Sequence, residues 1–365
     1  MSEARHILLA AGGTGGHLFP AFALAEALLR RGHTVDLASD ERIADYGRDF
    51  PARQIHTITS GTITGRSPFA LAVTGAKLSK GIAEAASLIG RTKPAAVVGF
   101  GGYPSFPPVM AARLRGVPSA LHEQNAVLGR ANRMLAKRVT ALATSFEEVK
   151  FADAIPAERV TFTGNPVRAV VIAASRQPFD APVADGPFHL LVFGGSQGAR
   201  VFSERMPEAV ALLSPEMRAR LRITQQCRAE DLDAVQTRYH ALGVAAQCAT
   251  FFPDLPQRIA GSHLVIARSG ASTIAELTVI GRPSFLVPLP HALDNDQLQN
   301  ATKLHAAGGC WWAAQEDFGA ERIARDLHHL IAAPEQLIPV ADASARQGRA
   351  DADERLADLV ERIIG

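Results

Sequence analysis

The chain has 365 residues, 47 % of them hydrophobic and 20 % charged, with a formal net charge of +2 and three cysteines. That length predicts two domains with full cores, and so small a charge argues against nucleic acid as a partner. Cys227, Cys248 and Cys310 are far apart in sequence and form no Cys-x-x-Cys or Cys/His metal pattern, so they read as buried or inert thiols of a reducing compartment.

In chain order, Ile7–Ala10, Val35–Ala38, Ala95–Gly99, Ser119–His122 and Val139–Ala143 read as buried strands. Helical spacing runs through Ala21–Arg31, Phe106–Arg115 and Leu128–Lys137 between them. The pattern restarts after "GNPVR" (164–168), with strands expected at His189–Phe193, Leu221–Thr224, Ala249–Phe252, Leu264–Ala267 and Ser284–Pro288. The tail from Ala320 is helical and closes on the amphipathic stretch "DADERLADLVERII". Repeated strand–helix units predict parallel sheets covered on both faces. The expected fold class is α/β: two Rossmann-like, doubly wound parallel-sheet domains with a cleft between them. The expected bounds are residues 1–164, residues 165–345, and a C-terminal helix in 346–365 packed back on the first domain. The start "MSEARHILLAAGG" is too short and glycine-broken for a signal peptide, and no uncharged run nears the roughly 18 residues of a membrane span. A cytoplasmic protein, free or docked on a membrane surface, is expected.

Three strand-to-helix turns carry glycine and small polar residues: "AAGGTGGH" (10–17), "VFGGSQGAR" (192–200) and "ARSGAST" (267–273). At such turns backbone N–H groups of a helix start face an anion, and glycine lets the backbone approach it. Tight strand–helix packing selects glycine too, so each loop alone is a weak signal. The first departs from the dinucleotide fingerprint, with Leu18 where the third glycine belongs, although Asp36 and Asp40 stand about where a ribose-binding acid would. Three such loops suit a nucleoside diphosphate better than a dinucleotide. Glu276 falls within the helix opened by the third loop, where a carboxylate can take a ribose diol or simply favour the helix dipole. Polar islands follow other strands: "FGGYPSFPP" (100–108), "HEQN" (122–125) and "PLPHALDNDQLQNA" (288–301). Three Asp-x-Asp triplets, at 231/233, 294/296 and 351/353, lie in helices or at a capping position, and no metal site is expected.

The stretches "GGTGGH", "FGGYPS", "HEQNAVLGRANR", "TGNPVR", "VFGGSQGA", "RSGASTIAEL" and "GRPSFLVPLPHALDNDQLQNA", in this order, resemble the MurG family of bacterial N-acetylglucosaminyltransferases of peptidoglycan synthesis. The resemblance implies the two-domain GT-B fold and no cofactor. It implies transfer of GlcNAc from UDP-GlcNAc to the C4 hydroxyl of MurNAc in undecaprenyl-pyrophosphoryl-MurNAc-pentapeptide (lipid I), with inversion, to give lipid II. It places Thr14, Gly15, Gly16 and Asn125 at the donor sugar, Arg168 near the nucleotide and Ser196 at the diphosphate. Ala271, Ser272, Thr273, Ile274, Ala275 and Glu276 hold uridine and ribose, Phe252 packs on uracil where relatives often carry isoleucine, and Gln297 meets the sugar hydroxyls. The register at Gln297 is loosened by the differing length of "PHALDNDQ".

An inverting transfer needs a base near the acceptor hydroxyl, and His17, at the rim of the first loop, is the expected one. Glu123 is its rival. The stretch 61–93 sets Arg66, Lys77, Lys80, Arg91 and Lys93 against Glu84 alone, with Phe69, Leu71, Val73, Leu78 and Ile82 among them. This composition suits docking on an anionic leaflet, and equally a plain amphipathic helix; the resemblance implies peripheral docking on the cytoplasmic face of the bacterial inner membrane. Competing readings are a UDP-GlcNAc 2-epimerase on the same frame, a dinucleotide oxidoreductase and a non-catalytic binding module.

Overall fold

A computed structural model describes residues 3–43, 49–61, 68–195 and 198–365. The chain forms two compact units, Met1–Arg168 with Arg349–Gly365, and Ala169–Gly348.

The first unit is built on seven parallel strands, β1 (His6–Ala10), β2 (Thr34–Ser39), β3 (Gln54–Thr57), β4 (Ala96–Gly99), β5 (Ser119–Glu123), β6 (Ala141–Thr144) and β7 (Val160–Phe162), in the order β3-β2-β1-β4-β5-β6-β7. Helices α1 (Gly15–Arg30), α2 (Pro68–Thr92), α3 (Gly102–Leu114) and α4 (Arg130–Leu135) connect them. The central strands are short apolar runs because both their faces are covered. On β1, Ile7 and Leu9 join one core with Leu24, Leu28 and Val98, while Leu8 joins the other with Val97, Val109 and Leu121. The first core is completed from the far end of the chain: Leu356, Ala357, Leu359 and Val360 of the C-terminal helix Ala352–Ile364 are buried in it. Acids on the polar side of that helix meet a basic corner at the end of α1. Arg30 pairs with Asp353 at 2.7 Å, Arg31 with Glu354, Asp358 and Glu361 at 2.6–2.7 Å, and His33 Nε2 with Glu361 at 2.9 Å.

Helix α2 is half covered. Ala85, Leu88 and Ile89 are buried, whereas Ala72, Val73, Ala76, Lys77 and Lys80 of its first half face solvent. Gly81 lets it approach the strand side, for a Cβ there would stand 1.9 Å from the Thr59 carbonyl oxygen. Thr59 donates to Glu84 from its N–H (2.9 Å) and hydroxyl (3.1 Å). Arg66 and the side chains of Phe69 and Leu71 lie outside the described residues.

The second unit repeats the plan with β8 (Phe188–Phe193), β9 (Leu221–Gln226), β10 (Ala245–Ala249), β11 (Leu264–Ala267), β12 (Ser284–Leu286) and β13 (Trp311–Trp312), all parallel, in the order β10-β9-β8-β11-β12-β13. Its helices are α5 (Ala169–Ala174), α6 (Arg200–Ala211), α7 (Pro215–Arg220), α8 (Leu232–Ala241), α9 (Leu255–Ala260), α10 (Ala271–Ile280), α11 (Asp296–Ala306), α12 (Ala320–Ala332) and α13 (Leu337–Gln347). One sequence expectation fails: the strand is Ala245–Ala249, not Ala249–Phe252. β10 is an edge strand with little buried surface, so it lacks an apolar run, and "TFF" belongs to the loop after it. Arg282, 2 % exposed, gathers the carbonyls of Ala260, Ile280, Gln177 and Pro178 and thereby fixes the segment that follows α5.

Candidate active site

In each sheet the strand order reverses once, between β1 and β4 in the first unit and between β8 and β11 in the second. Open parallel sheets bind ligands outside the carboxyl ends of the strands at such a point. The loops leaving those four strands are "AGGT", "FG", "GGSQGA" and "RSG", so the glycine-rich turns read from the sequence sit at the two switch points.

In the first unit Thr14 is the N-cap residue of α1, and its Oγ1 lies 3.1 Å from His17 Nδ1. Gly15 and Gly16 form the first turn, Gly16 with open space where a side chain would stand. The His17 ring lies over Gly101 and Gly102: a Cβ on either would come within 3.5 Å of it. Their φ angles of 84° and 70° are left-handed, so glycine serves twice there. Burial, then the nearby Arg42, lowers the His17 pKa to about 4, with Asp40 opposing. The imidazole is therefore neutral at physiological pH.

Glu123 ends β5 and is 2 % exposed. Its Oε1 accepts from the Asn125 N–H (3.0 Å) and Nδ2 (3.4 Å), and its Oε2 from the Gly129 N–H and Asn132 Nδ2, both at 2.8 Å. Burial pushes this carboxyl up while the four donors pull it down. The carboxylate thus binds loop 124–129 to α4 and orients Asn125. His122 beside it is fully buried; its Nε2 donates to the Gly164 carbonyl (3.0 Å) and its Nδ1 accepts from Gln124 Nε2 (3.0 Å). Burial lowers its pKa to about 4 as well. The Arg168 guanidinium stacks 4.3 Å above the Phe19 ring on the first turns of α1. Thr14, His17, Asn125 and Arg168 therefore all stem from elements at the carboxyl end of this sheet.

In the second unit α10 begins at Ala271 behind Gly270, and no side chain caps it. Ser272 and Thr273 lie in its first turn. Ile274, Ala275 and Glu276 follow, all buried. The neighbouring loop is tied in: Ser269 Oγ donates to the Gln297 carbonyl (2.8 Å), and Asn300 Nδ2 to the Ser269 carbonyl (3.1 Å). Gln297 Oε1 accepts from the Leu289 N–H at 3.0 Å. Arg268, 7 % exposed, donates to the Val287 and Pro288 carbonyls and to Gln315, and burial lowers its pKa to about 10. On the other side of the switch point Gln226 accepts from the Gly194 N–H (3.2 Å) and donates to the Thr250 carbonyl (3.2 Å). Phe252 is buried with the Arg258 guanidinium 4.3 Å above its ring, while Phe251 is 68 % exposed. Ser196 lies outside the described residues.

Sequence reasoning missed Asn132, Gln226, Arg268 and the Phe19 platform, whose partners are distant in the chain. The acids of the oxidoreductase reading are engaged elsewhere. Asp36 is fully buried within β2, bonded to Arg53 at 2.8–3.0 Å, and Asp40 accepts from the Gly13 N–H and pairs with Arg42. Among the described residues no three His, Cys, Asp or Glu side chains gather to hold a metal ion, and no helix is long and apolar enough to cross a membrane.

Two doubly wound sheets with glycine-rich loops at their switch points make up the GT-B fold, and the family models make the chain a glycosyltransferase. The N-terminal domain of glycosyltransferase family 28 matches residues 7–144 and its C-terminal domain residues 189–356. A Rhodopseudomonas palustris relative, named UDP-N-acetylglucosamine–N-acetylmuramyl-(pentapeptide) pyrophosphoryl-undecaprenol N-acetylglucosamine transferase, is 52 % identical over 100 % of this chain and 99 % of its own. The crystal structure of Acinetobacter baumannii MurG matches with a TM-score of 0.78 at 28 % identity, covering 98 % of this chain and 99 % of that one. The chain belongs to the MurG family of N-acetylglucosamine transferases. UDP-GlcNAc 2-epimerase from Neisseria meningitidis, bound to UDP-GlcNAc, has a TM-score of 0.69 at 14 % identity over 98 % of this chain and 100 % of its own. That likeness is one of fold alone, so the epimerase reading gives way to the transferase.

Proposed function

We propose that the protein transfers N-acetylglucosamine from UDP-N-acetylglucosamine to the C4 hydroxyl of the N-acetylmuramyl residue of lipid I, with inversion at C1, and so forms lipid II. The observation that carries this reading is the 52 % identity, along the whole chain, to a relative of that name. The donor nucleotide belongs to the second unit. Glu276 takes the ribose diol, residues 271–275 hold uridine, and the loop around Phe252 packs on uracil. Ser196 and the backbone N–H groups of "GGSQGA" face the diphosphate, and Gln297 meets the sugar hydroxyls. Negative charge growing on departing UDP meets backbone N–H groups and the uncapped start of α10.

The acceptor belongs to the first unit. His17 is the general base: with Nδ1–H donating to Thr14 Oγ1, Nε2 keeps its lone pair for the C4 hydroxyl. The uncapped start of α3 at Gly101 and Gly102 receives the lipid pyrophosphate. Thr14, Gly15, Gly16 and Asn125 orient the donor sugar, and Arg168, held flat on Phe19, supplies charge to the nucleotide. Glu123 serves through Asn125, since each of its oxygens already accepts two bonds. Lipid I stays in the bilayer, so the exposed first half of α2, with Val73, Lys77 and Lys80, docks the protein peripherally on the cytoplasmic face. The test is radiolabelled GlcNAc transfer from UDP-GlcNAc to a lipid I analogue, with UDP-GalNAc as control. Release of UDP without an acceptor would instead favour epimerase-type chemistry. For docking, co-sedimentation with anionic liposomes should fall when Lys77→Glu and Lys80→Glu are combined.

A further inference from the structure

Two of the three cysteines meet behind the glycine loop of the second unit. Residue pairing between β9 and β10 sets Cys248 opposite Gln225, and Cys227 follows two residues later on β9's extension. The Cys227 N–H donates to the Ala249 carbonyl at 2.9 Å, so the ladder continues past both cysteines. Residues two apart in a strand share a face, which makes Cys227 and Cys248 diagonal neighbours on one side of the sheet. The two thiols are close enough to shift each other's titration, and the Cys227 S–H points to the Gln225 carbonyl at 3.9 Å. Cys227 is 1 % exposed and part of the core; Cys248 is partly buried on the edge strand.

The surroundings connect this pair to the proposed nucleotide site. Gln226, the residue before Cys227, bonds to Gly194 and to Thr250. Arg228, the residue after it, packs against Gly198, where a Cβ would stand 3.3 Å from its Cγ. Cys248 lies two residues before Thr250, from which the loop of Phe251 and Phe252 departs.

We propose that Cys227 and Cys248 are a redox-active pair whose closure to a disulfide weakens binding of the uridine diphosphate moiety. This deepens the nucleotide-binding reading of the second unit and rests on it. The oxidant is a hydroperoxide. Cys248, the accessible member, attacks the peroxide oxygen as thiolate, becoming a sulfenic acid and releasing water. Cys227 then attacks that sulfur; the S–S bond forms, and the sulfenic oxygen leaves with the thiol proton as a second water. Two thiols and one hydrogen peroxide thus give one disulfide and two waters. Cys248 is the more accessible thiol and its pKa is lowered by its neighbour, while Cys227, in the core, has its pKa raised by Cys248 and by burial, as this order of attack requires. Closure must draw the two diagonal neighbours together until their sulfurs are about 2.05 Å apart. Cys227 is anchored in the core, so the edge strand moves and carries Thr250 and the uracil-side loop with it.

The experiment treats the full-length protein with hydrogen peroxide and reads two things. Peptide mass mapping should find Cys227 joined to Cys248, with the loss of two hydrogens restored by dithiothreitol. UDP titration calorimetry should find affinity lowered about tenfold on oxidation. Cys248→Ala should bind UDP as the reduced wild type does and show no shift, Cys227→Ser should behave likewise, and Cys310→Ala should still respond. Oxidation that stops at a sulfinic acid on Cys248, or a mapped disulfide with unchanged UDP affinity, overturns the proposal. A protein that forms the disulfide on oxidation but binds no UDP even when reduced overturns the nucleotide reading, and with it the proposed link between closure and binding.

Discussion

Glu123→Gln separates the two groups that compete for the role of base. The Glu123 carboxylate meets four N–H donors and no acceptor partner. A glutamine turns one oxygen into an NH2 group, which then confronts a donor. The less costly orientation directs it at Asn125, where the longer contact of 3.4 Å can be repaired by rotating the Asn125 amide. The Asn125 main-chain N–H cannot rotate, and a buried N–H left unpaired costs about 1–3 kcal/mol. Relief from burying a charge offsets part of this, so a net loss of about 2 kcal/mol is expected. Urea unfolding of the first unit, followed with and without the substitution, measures it. Turnover should fall by about tenfold through displaced Asn125, with an unchanged pH profile. A Glu123→Gln protein as stable as the parent but slower by roughly a thousandfold would refute this reasoning and make Glu123 the base.

Four further outcomes are expected. If His17 is the base, the acid limb of kcat/KM for transfer lies near pH 4 rather than near 6.5, because activity is lost only as the lowered pKa is crossed. Thr14→Val, which frees the tautomer, should lower kcat about tenfold at saturating substrates. His122 is neutral in the folded chain, whereas the unfolded chain takes up its proton below about pH 6.5, so stability is full above that value and declines as pH falls toward 4. Its share is about 3 kcal/mol, and urea midpoints of His122→Gln should show a shallower decline between pH 6.5 and 4. Arg282→Met leaves the buried Ala260 and Ile280 carbonyls unsatisfied, releases those of Gln177 and Pro178, and should destabilise the second unit by about 3 kcal/mol, read by urea unfolding, with partial rescue by lysine.

Central strands were legible in the sequence because burial on both faces demands an unbroken apolar run. Leu264–Ala267 begins and ends where expected. Edge strands need no such run, so Gln54–Thr57, Val160–Phe162 and Trp311–Trp312 went unread and β10 was set too late. The glycine loops were legible for a local reason: a strand that turns at once into a helix beside an anion needs small residues in sequence. The groups that hold those loops were not. Asn132 reaches Glu123 across nine positions, Gln226 reaches Gly194 across thirty-two, and Arg268 reaches Gln315 across forty-seven. A buried amide or guanidinium carries no periodicity that would mark its partner in advance.

The helix formed by residues 352–364 has a bearing on biosynthesis. Synthesis runs from the N-terminus, so residues 1–168 leave the ribosome long before Leu356, Leu359 and Val360 exist to cover Ile7, Leu24 and Leu28. The first lobe to be translated is the last to be sealed. Until then its uncovered apolar face must wait in the cell, and a nascent chain released early, short of residue 349, would carry that face into aggregation.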